Sequence, residues 1–173
     1  MSFEPVYNEH SRALILGTWP SPKSREMAFY YGHPQNRFWP VLAALTGAPV
    51  EALTGRGGGL TDSAFETKKR VIQQALDLHR PPQDDPVAVL SMVGGLDLAA
   101  MTGAFLGCAR EGVAAVVDGF ISVVAALCAA RLCPAAKDMM FLSHASYEAG
   151  YRLAADELGL EPCLLLGNFG LDL

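Results

Sequence analysis

The sequence predicts an α/β fold, a parallel sheet with helices on both faces in a three-layer, Rossmann-like arrangement. Three observations carry that prediction. Short apolar runs recur at residues 13–17, 113–117, 139–142 and 162–166, each of a length suited to a buried strand. Apolar stretches of helical length lie between them. Strands alternating with helices build parallel sheets, because parallel neighbours need a long crossover. The 173 residues fit one domain or at most two small ones, and 51% hydrophobic against 18% charged residues excludes disordered and fibrous classes.

Each element has its own signal. Residues 13–17 (ALILG) read as a strand, ended by Pro20 and Pro22. Residues 36–45 read as a helix, with Phe38, Val41, Leu42 and Leu45 at three- and four-residue steps. Residues 55–59 form a glycine-rich loop, and Asp62 or Ser63 caps a helix that runs to about residue 78. Residues 80–86 (RPPQDDP) form a second loop. Residues 96–110 then read as an apolar helix, 113–117 as a strand and 119–132 as a helix. Residues 139–142 follow as a strand, 147–158 as a helix and 162–166 as the last strand. The alanine content of 99–136 lets helices approach a sheet closely.

Location follows from what the chain shows and lacks. The amino-terminal MSFEP has no basic stretch followed by an apolar one, so no secretory signal is expected. The longest uncharged apolar run, 119–130, is about half of the roughly 20 residues that span a bilayer and reads as a buried helix. Cys108, Cys128, Cys133 and Cys163 form no CxxC pair and have no histidine at ligand spacing. They read as buried small apolar residues in a reducing cytoplasm, with no metal, cofactor or membrane partner expected.

The net charge of −5 conceals a break. Residues 1–48 hold eight of the fifteen aromatics and both tryptophans, with four basic residues against three acidic ones. The other 125 residues carry nine basic and fifteen acidic residues and all four cysteines. The acidic balance excludes a general nucleic-acid coat, which needs a basic stripe.

Ligands of open parallel sheets bind at the carboxyl ends of strands. Gly17-Thr18-Trp19, Asp118-Gly119 and Ser143-His144-Ala145-Ser146 each follow an apolar strand. The last is the best phosphate candidate, combining hydroxyls, an imidazole and helix-start amides; it also reads as a helix cap with an incidental histidine. Thr54–Gly59 offers backbone amides and the charge of Arg56 to an anion, or serves as a linker. Lys68, Lys69 and Arg70 read as a solvated face or as part of that site. The segment from Tyr30 to Trp39, YYGHPQNRFW, suits a base held by stacking and hydrogen bonds, or an aromatic core edge.

Two resemblances divide at the same break. GTWPSPKSRE and FYYGHPQNRFWPVL, within residues 14–45, resemble the amino-terminal part of hypoxanthine-DNA glycosylases of the uracil-DNA glycosylase superfamily. That resemblance implies catalysis by Asn36, base binding by Tyr31, His33 and Phe38, and DNA as a partner. The family's later DNA-inserting loop has no counterpart in the sequence.

From about Ala48, the stretches TGRGGGL, DPVAVLSMVGGLDLAAMTGAFLGCA, VVDGFISVVAALCAARLCPAAKD and SHASYEAGYRLAADELGLEP resemble a different family, the nicotinate-nucleotide–dimethylbenzimidazole phosphoribosyltransferases of cobalamin assembly. This implies transfer of phosphoribose from nicotinate mononucleotide to 5,6-dimethylbenzimidazole by a dimeric enzyme. Carried over, Gly55, Arg56, Gly57 and Gly59 belong to the glycine-rich loop and Lys68 lies near the nucleotide phosphate. Asp118 and Gly119 form a post-strand loop, and Ser143 and His144 the turn near phosphate. Gly58, Thr61 and Tyr151 stand where the family usually has Thr, Asp and His. Asp172 falls at the position of the general base by ungapped counting, though its neighbours differ. The expected organisation is a glycosylase-like segment at 1–47 and an incomplete phosphoribosyltransferase-like domain at 48–173. The alternatives are a glycosylase acting on deaminated DNA and a non-catalytic fusion remnant.

Overall fold

The computed structural model describes residues 13–16, 37–55, 61–146 and 148–164. Among these, four strands pair in parallel in chain order: β1 (Ala13–Leu16), β2 (Ala114–Val117), β3 (Met140–His144) and β4 (Pro162–Leu164). The register sets Leu16 beside Val117, Val117 beside Leu142, and His144 beside Leu164. Helices α1 (Phe38–Thr46), α2 (Val50–Leu53), α3 (Asp62–His79), α4 (Pro86–Val93) and α5 (Leu96–Glu111) come between β1 and β2 in the chain. Helix α6 (Phe120–Leu132) and a 3₁₀ turn (Pro134–Met139) connect β2 to β3, and α7 (Ala149–Leu158) connects β3 to β4. The molecule is therefore α/β, with a parallel sheet flanked by helices, as its sequence predicts.

The core is built around α6. Every residue from 123 to 129 is at most 1% exposed. Its alanines let α5 and α7 approach closely, and this helix is the uncharged run at 119–130. No helix among the described residues is long and apolar enough to cross a membrane. Thr102 on α5 lies 2.8 Å from Leu98 O and 3.3 Å from Ala125 O, which joins α5 to α6 through a buried hydroxyl. In β2 and β3 the inward residues Ala115, Val117, Met140 and Leu142 are buried, whereas Phe141 on the other face is 47% exposed.

Helix α1 packs into the same core. Phe38, Trp39 and Phe120 form an aromatic trio with centroids 4.7, 4.7 and 4.6 Å apart, the Trp39–Phe120 pair edge-on. This trio ties the segment before residue 48 to the start of α6.

Four sequence expectations change. The cap of α3 is Thr61, not Asp62 or Ser63: Thr61 has extended backbone and its Oγ1 accepts from Ala64 N at 3.4 Å. A separate helix, α4, begins directly after the 80–86 loop, with Asp85 Oδ1 accepting from Ala88 N at 3.0 Å and Pro86 in the first turn. Strand β3 runs on through Ser143 and His144, because the ladder to β4 continues as far as His144. Cys108 and Cys128 are buried as expected, but Cys133, just past α6, and Cys163, in the short strand β4, are exposed.

Candidate functional site

Because Val117 pairs with Leu142, the next residues, Asp118 and Ser143, emerge side by side at the carboxyl ends of β2 and β3. Ser143 Oγ donates to Asp118 Oδ1 at 2.5 Å, a short bond of the kind made to a carboxylate. The hydroxyl proton is then committed, so His144 Nδ1, 2.9 Å away, is the donor to Ser143 Oγ. The same nitrogen lies 3.3 Å from Asp118 Oδ1. This arrangement puts the imidazole proton on Nδ1. The Asp118 side chain is 48% exposed and that of His144 21%, so the cluster opens to solvent.

The backbone behind the cluster is fixed. Gly119 has φ 84° and ψ 174°, a conformation essentially confined to glycine, and it turns the chain from β2 into α6. Ser122 Oγ lies 2.5 Å from Asp118 O and 2.9 Å from Gly119 O, so its hydroxyl donates back to the carbonyls of that turn. Tyr151 OH donates to His144 O at 2.7 Å, and Arg152 Nε donates to Ser146 O at 3.3 Å. Burial pushes the Tyr151 phenol up to about 12, with the charges of Asp118 and Cys163 adding to it, so it stays a proton donor.

A second cluster surrounds Lys68 on α3. Its Nζ donates to Gly55 O at 3.0 Å and sits 4.0 Å from the centroid of the Trp39 ring. Burial pushes Lys68 down from 10.5 to about 8, and the Glu148 carboxylate opposes that fall. The basic run therefore divides. Lys69 pairs with Glu66 at 2.7 Å and lies over Phe65 at 4.7 Å, while Arg70 is exposed. Among the described residues, the buried Trp39 Nε1 and Thr54 Oγ1 have no hydrogen-bond partner.

The first turn of α7 joins the clusters. A Cβ on Gly55 would collide with Glu148 Oε2, so that carboxylate lies against the start of the glycine loop. A Cβ on Gly150 would overlap Phe120 Cζ and come within 2.7 Å of Leu53 O. Tyr151, one residue on, holds His144 O.

Several sequence readings are corrected or fall outside the described residues. Ser143 and His144 lie in the strand and are not a helix cap; α7 starts at Ala149, and no side chain caps it. Helix-start amides are thus further from Ser143 than the sequence suggested. Phe38 is 1% exposed and stacked within the core, so it is unavailable to a base. Gly17, Thr18, Trp19, Tyr31, His33, Asn36, Arg56, Gly57, Gly58, Gly59 and Asp172 lie outside the described residues. Thr61 takes the helix-cap role that an Asp also fills, and Tyr151 acts as a hydrogen-bond donor. Glu148 was missed, since nothing local distinguishes a carboxylate before a helix from a solvated one. The Trp39–Lys68 contact was missed because its partners are 29 positions apart.

A parallel sheet with polar side chains gathered at the carboxyl ends of adjacent strands defines a Rossmann-like α/β protein of the carboxyl-edge-site class. A family model described as phosphoribosyltransferase matches residues 40–170. The nicotinate-nucleotide–dimethylbenzimidazole phosphoribosyltransferase of Clostridium perfringens is 50% identical over 124 residues, 72% of this chain and 34% of that protein. The protein of the same name from Desulforamulus reducens is 48% identical over 124 residues, 72% of this chain and 35% of that one. The crystal structure of CobT from Thermus thermophilus is similar with a TM-score of 0.71 at 34% identity, covering 78% of this chain and 40% of that one. The chain belongs to the phosphoribosyltransferase family. It spans about a third of the length of the relatives it matches.

Proposed function

We propose that this chain carries the nucleotide-phosphate part of a site that transfers phosphoribose from nicotinate mononucleotide to 5,6-dimethylbenzimidazole, a step of cobalamin assembly. The carrying observation is the pair of clusters, Asp118–Ser143–His144 and Gly55–Lys68, braced by one turn of α7 at the carboxyl ends of the strands. The identity to enzymes of that name supports it. In this reading Lys68 and the edge of the Ser143–His144 cluster meet the 5′-phosphate. Arg56, Gly57 and Gly59 are assigned to the same phosphate site by the family resemblance.

The chemistry needs a carboxylate that takes the N–H proton of dimethylbenzimidazole. The freed nitrogen forms a bond to C1′ while the C1′–nicotinate bond breaks, and the electron pair leaves with nicotinate. Asp172 is our candidate for that base. We further read residues 1–47 and 48–173 as segments of different origin, and the chain as a cytoplasmic homodimer.

Calorimetry with nicotinate mononucleotide and assay of α-ribazole 5′-phosphate test the reading. Binding by the wild type, weakened by Lys68→Met and Ser143→Ala, is expected. Neither binding heat nor product at high protein concentration would overturn it. Product formation unaffected by Asp172→Asn would remove Asp172 from the base role.

A further inference from the structure

We propose that Trp39 is a positioning residue for Lys68: its indole face seats the ammonium beside Gly55 O, where it meets an anionic ligand. This rests on the reading of Lys68 as a phosphate contact, but the seat itself stands on geometry alone. Lys68 Nζ is 4.0 Å from the ring centroid, within the range of a cation–π contact, and one of its N–H groups goes to Gly55 O at 3.0 Å. The ring cannot move away. Trp39 is 2% exposed and wedged against Phe38 at 4.7 Å and Phe120 at 4.6 Å.

A lysine side chain in this position has two difficulties. Its flexible stem loses rotamer freedom when it is fixed, and burial disfavours its charge. The first is met by the rigid aromatic platform. The second is opposed by the Glu148 carboxylate, with Lys68 pushed down by burial only to about 8 and still mostly charged at neutral pH, and the negative face of the ring attracts the ammonium as well. A second carboxylate in place of the indole would stabilise the ammonium as well, but it would repel an incoming phosphate. An aromatic face holds a cation without adding a negative charge. Trp39 lies just ahead of the family match at 40–170, so this role is not one that the match carries over.

The test combines lysine NMR and calorimetry on the full chain. With ¹³C-lysine, the Lys68 Hε resonances, assigned by their loss in Lys68→Arg, are expected upfield from the ring current of Trp39. That shift is kept in Trp39→Phe and lost in Trp39→Leu. Nicotinate mononucleotide affinity is expected to fall about threefold to thirtyfold in Trp39→Leu and to recover most of that loss in Trp39→Phe. Wild-type affinity in Trp39→Leu, or a Trp39→Phe protein as weak as Trp39→Leu, overturns the positioning role. Lys68 Hε at random-coil shifts in the wild type overturns the seat, whether or not the leucine variant folds. A shifted Lys68 with no nucleotide heat in the wild type supports the seat and refutes only the phosphate reading.

Discussion

Replacing Gly150 by alanine separates helix propensity from packing, and here the two have opposite signs. Alanine favours a helix over glycine by up to about 1 kcal/mol. At Gly150, however, the added Cβ would overlap Phe120 Cζ, lie 2.7 Å from Leu53 O and lie 3.1 Å from Leu42 Cδ2. Leu42 and Leu53 are fully buried and Phe120 is 1% exposed, so no neighbour can swing into solvent. One of the three is a backbone carbonyl, which yields only if α2 moves. Overpacking of this kind costs about 1–3 kcal/mol and exceeds the propensity gain. We expect a net loss near 1 kcal/mol, equivalent to about 2–4 °C in Tm for a chain of this size. Gly107, in the interior of α5, is the control: a Cβ there meets nothing within 4 Å. Gly107→Ala should raise stability by about 0.5–1 kcal/mol. Urea unfolding of both variants, compared at equal m-values, reads the result. A Gly150→Ala protein at or above wild-type stability would refute the packing argument.

Three further outcomes follow from single contacts. Lys68 carries its charge below about 8, so nucleotide binding should be full at lower pH and be lost as pH rises through that value. Calorimetry across that range should show the loss in the wild type and not in Lys68→Arg, whose charge persists. Removing the cap of α4 by Asp85→Ala breaks the 3.0 Å bond to Ala88 N and should cost about 1 kcal/mol, read as a lower urea midpoint. Cys133 and Cys163 are exposed, and burial pushes the Cys128 thiol up to about 12. A chromogenic disulfide reagent should therefore label Cys133 and Cys163 quickly in the native protein, and Cys108 and Cys128 only on unfolding.

What the sequence disclosed depended on range. The valines of 113–117 and the uncharged run after Gly119 announced a strand and a buried helix, because burial on all sides leaves a local apolar record. The carboxyl-end rule then located Asp118 and Ser143 without any partner being known. Their bond was not legible, since it depends on the register that puts Val117 beside Leu142. Nor could the sequence choose among Thr61, Asp62 and Ser63, three neighbouring cap formers of which the backbone at Thr61 selects one. The polar pair Ser143-His144 hid the end of β3, because a ladder continues wherever a neighbouring strand accepts it, whatever the side chains. Phe38 looked equally suited to a base or a core, and the position of Phe120 decided for the core. Asp85-Pro86 is a helix start that the neighbouring Pro81 and Pro82 disguise as loop.

Residues 148–151 form one short stretch of chain with several separate obligations. Glu148 fills the space that a side chain at position 55 would need, Gly150 must be small enough for Phe120 and Leu53, and Tyr151 must reach His144 O. Such a stretch tolerates little sequence drift, because a change that suits one obligation disturbs the next. A saturation library scored for folded protein should find few accepted substitutions at Gly150 and Tyr151, as in the buried run 123–129 of α6. Helix α3, with Ile72 as its one buried residue, should accept many more.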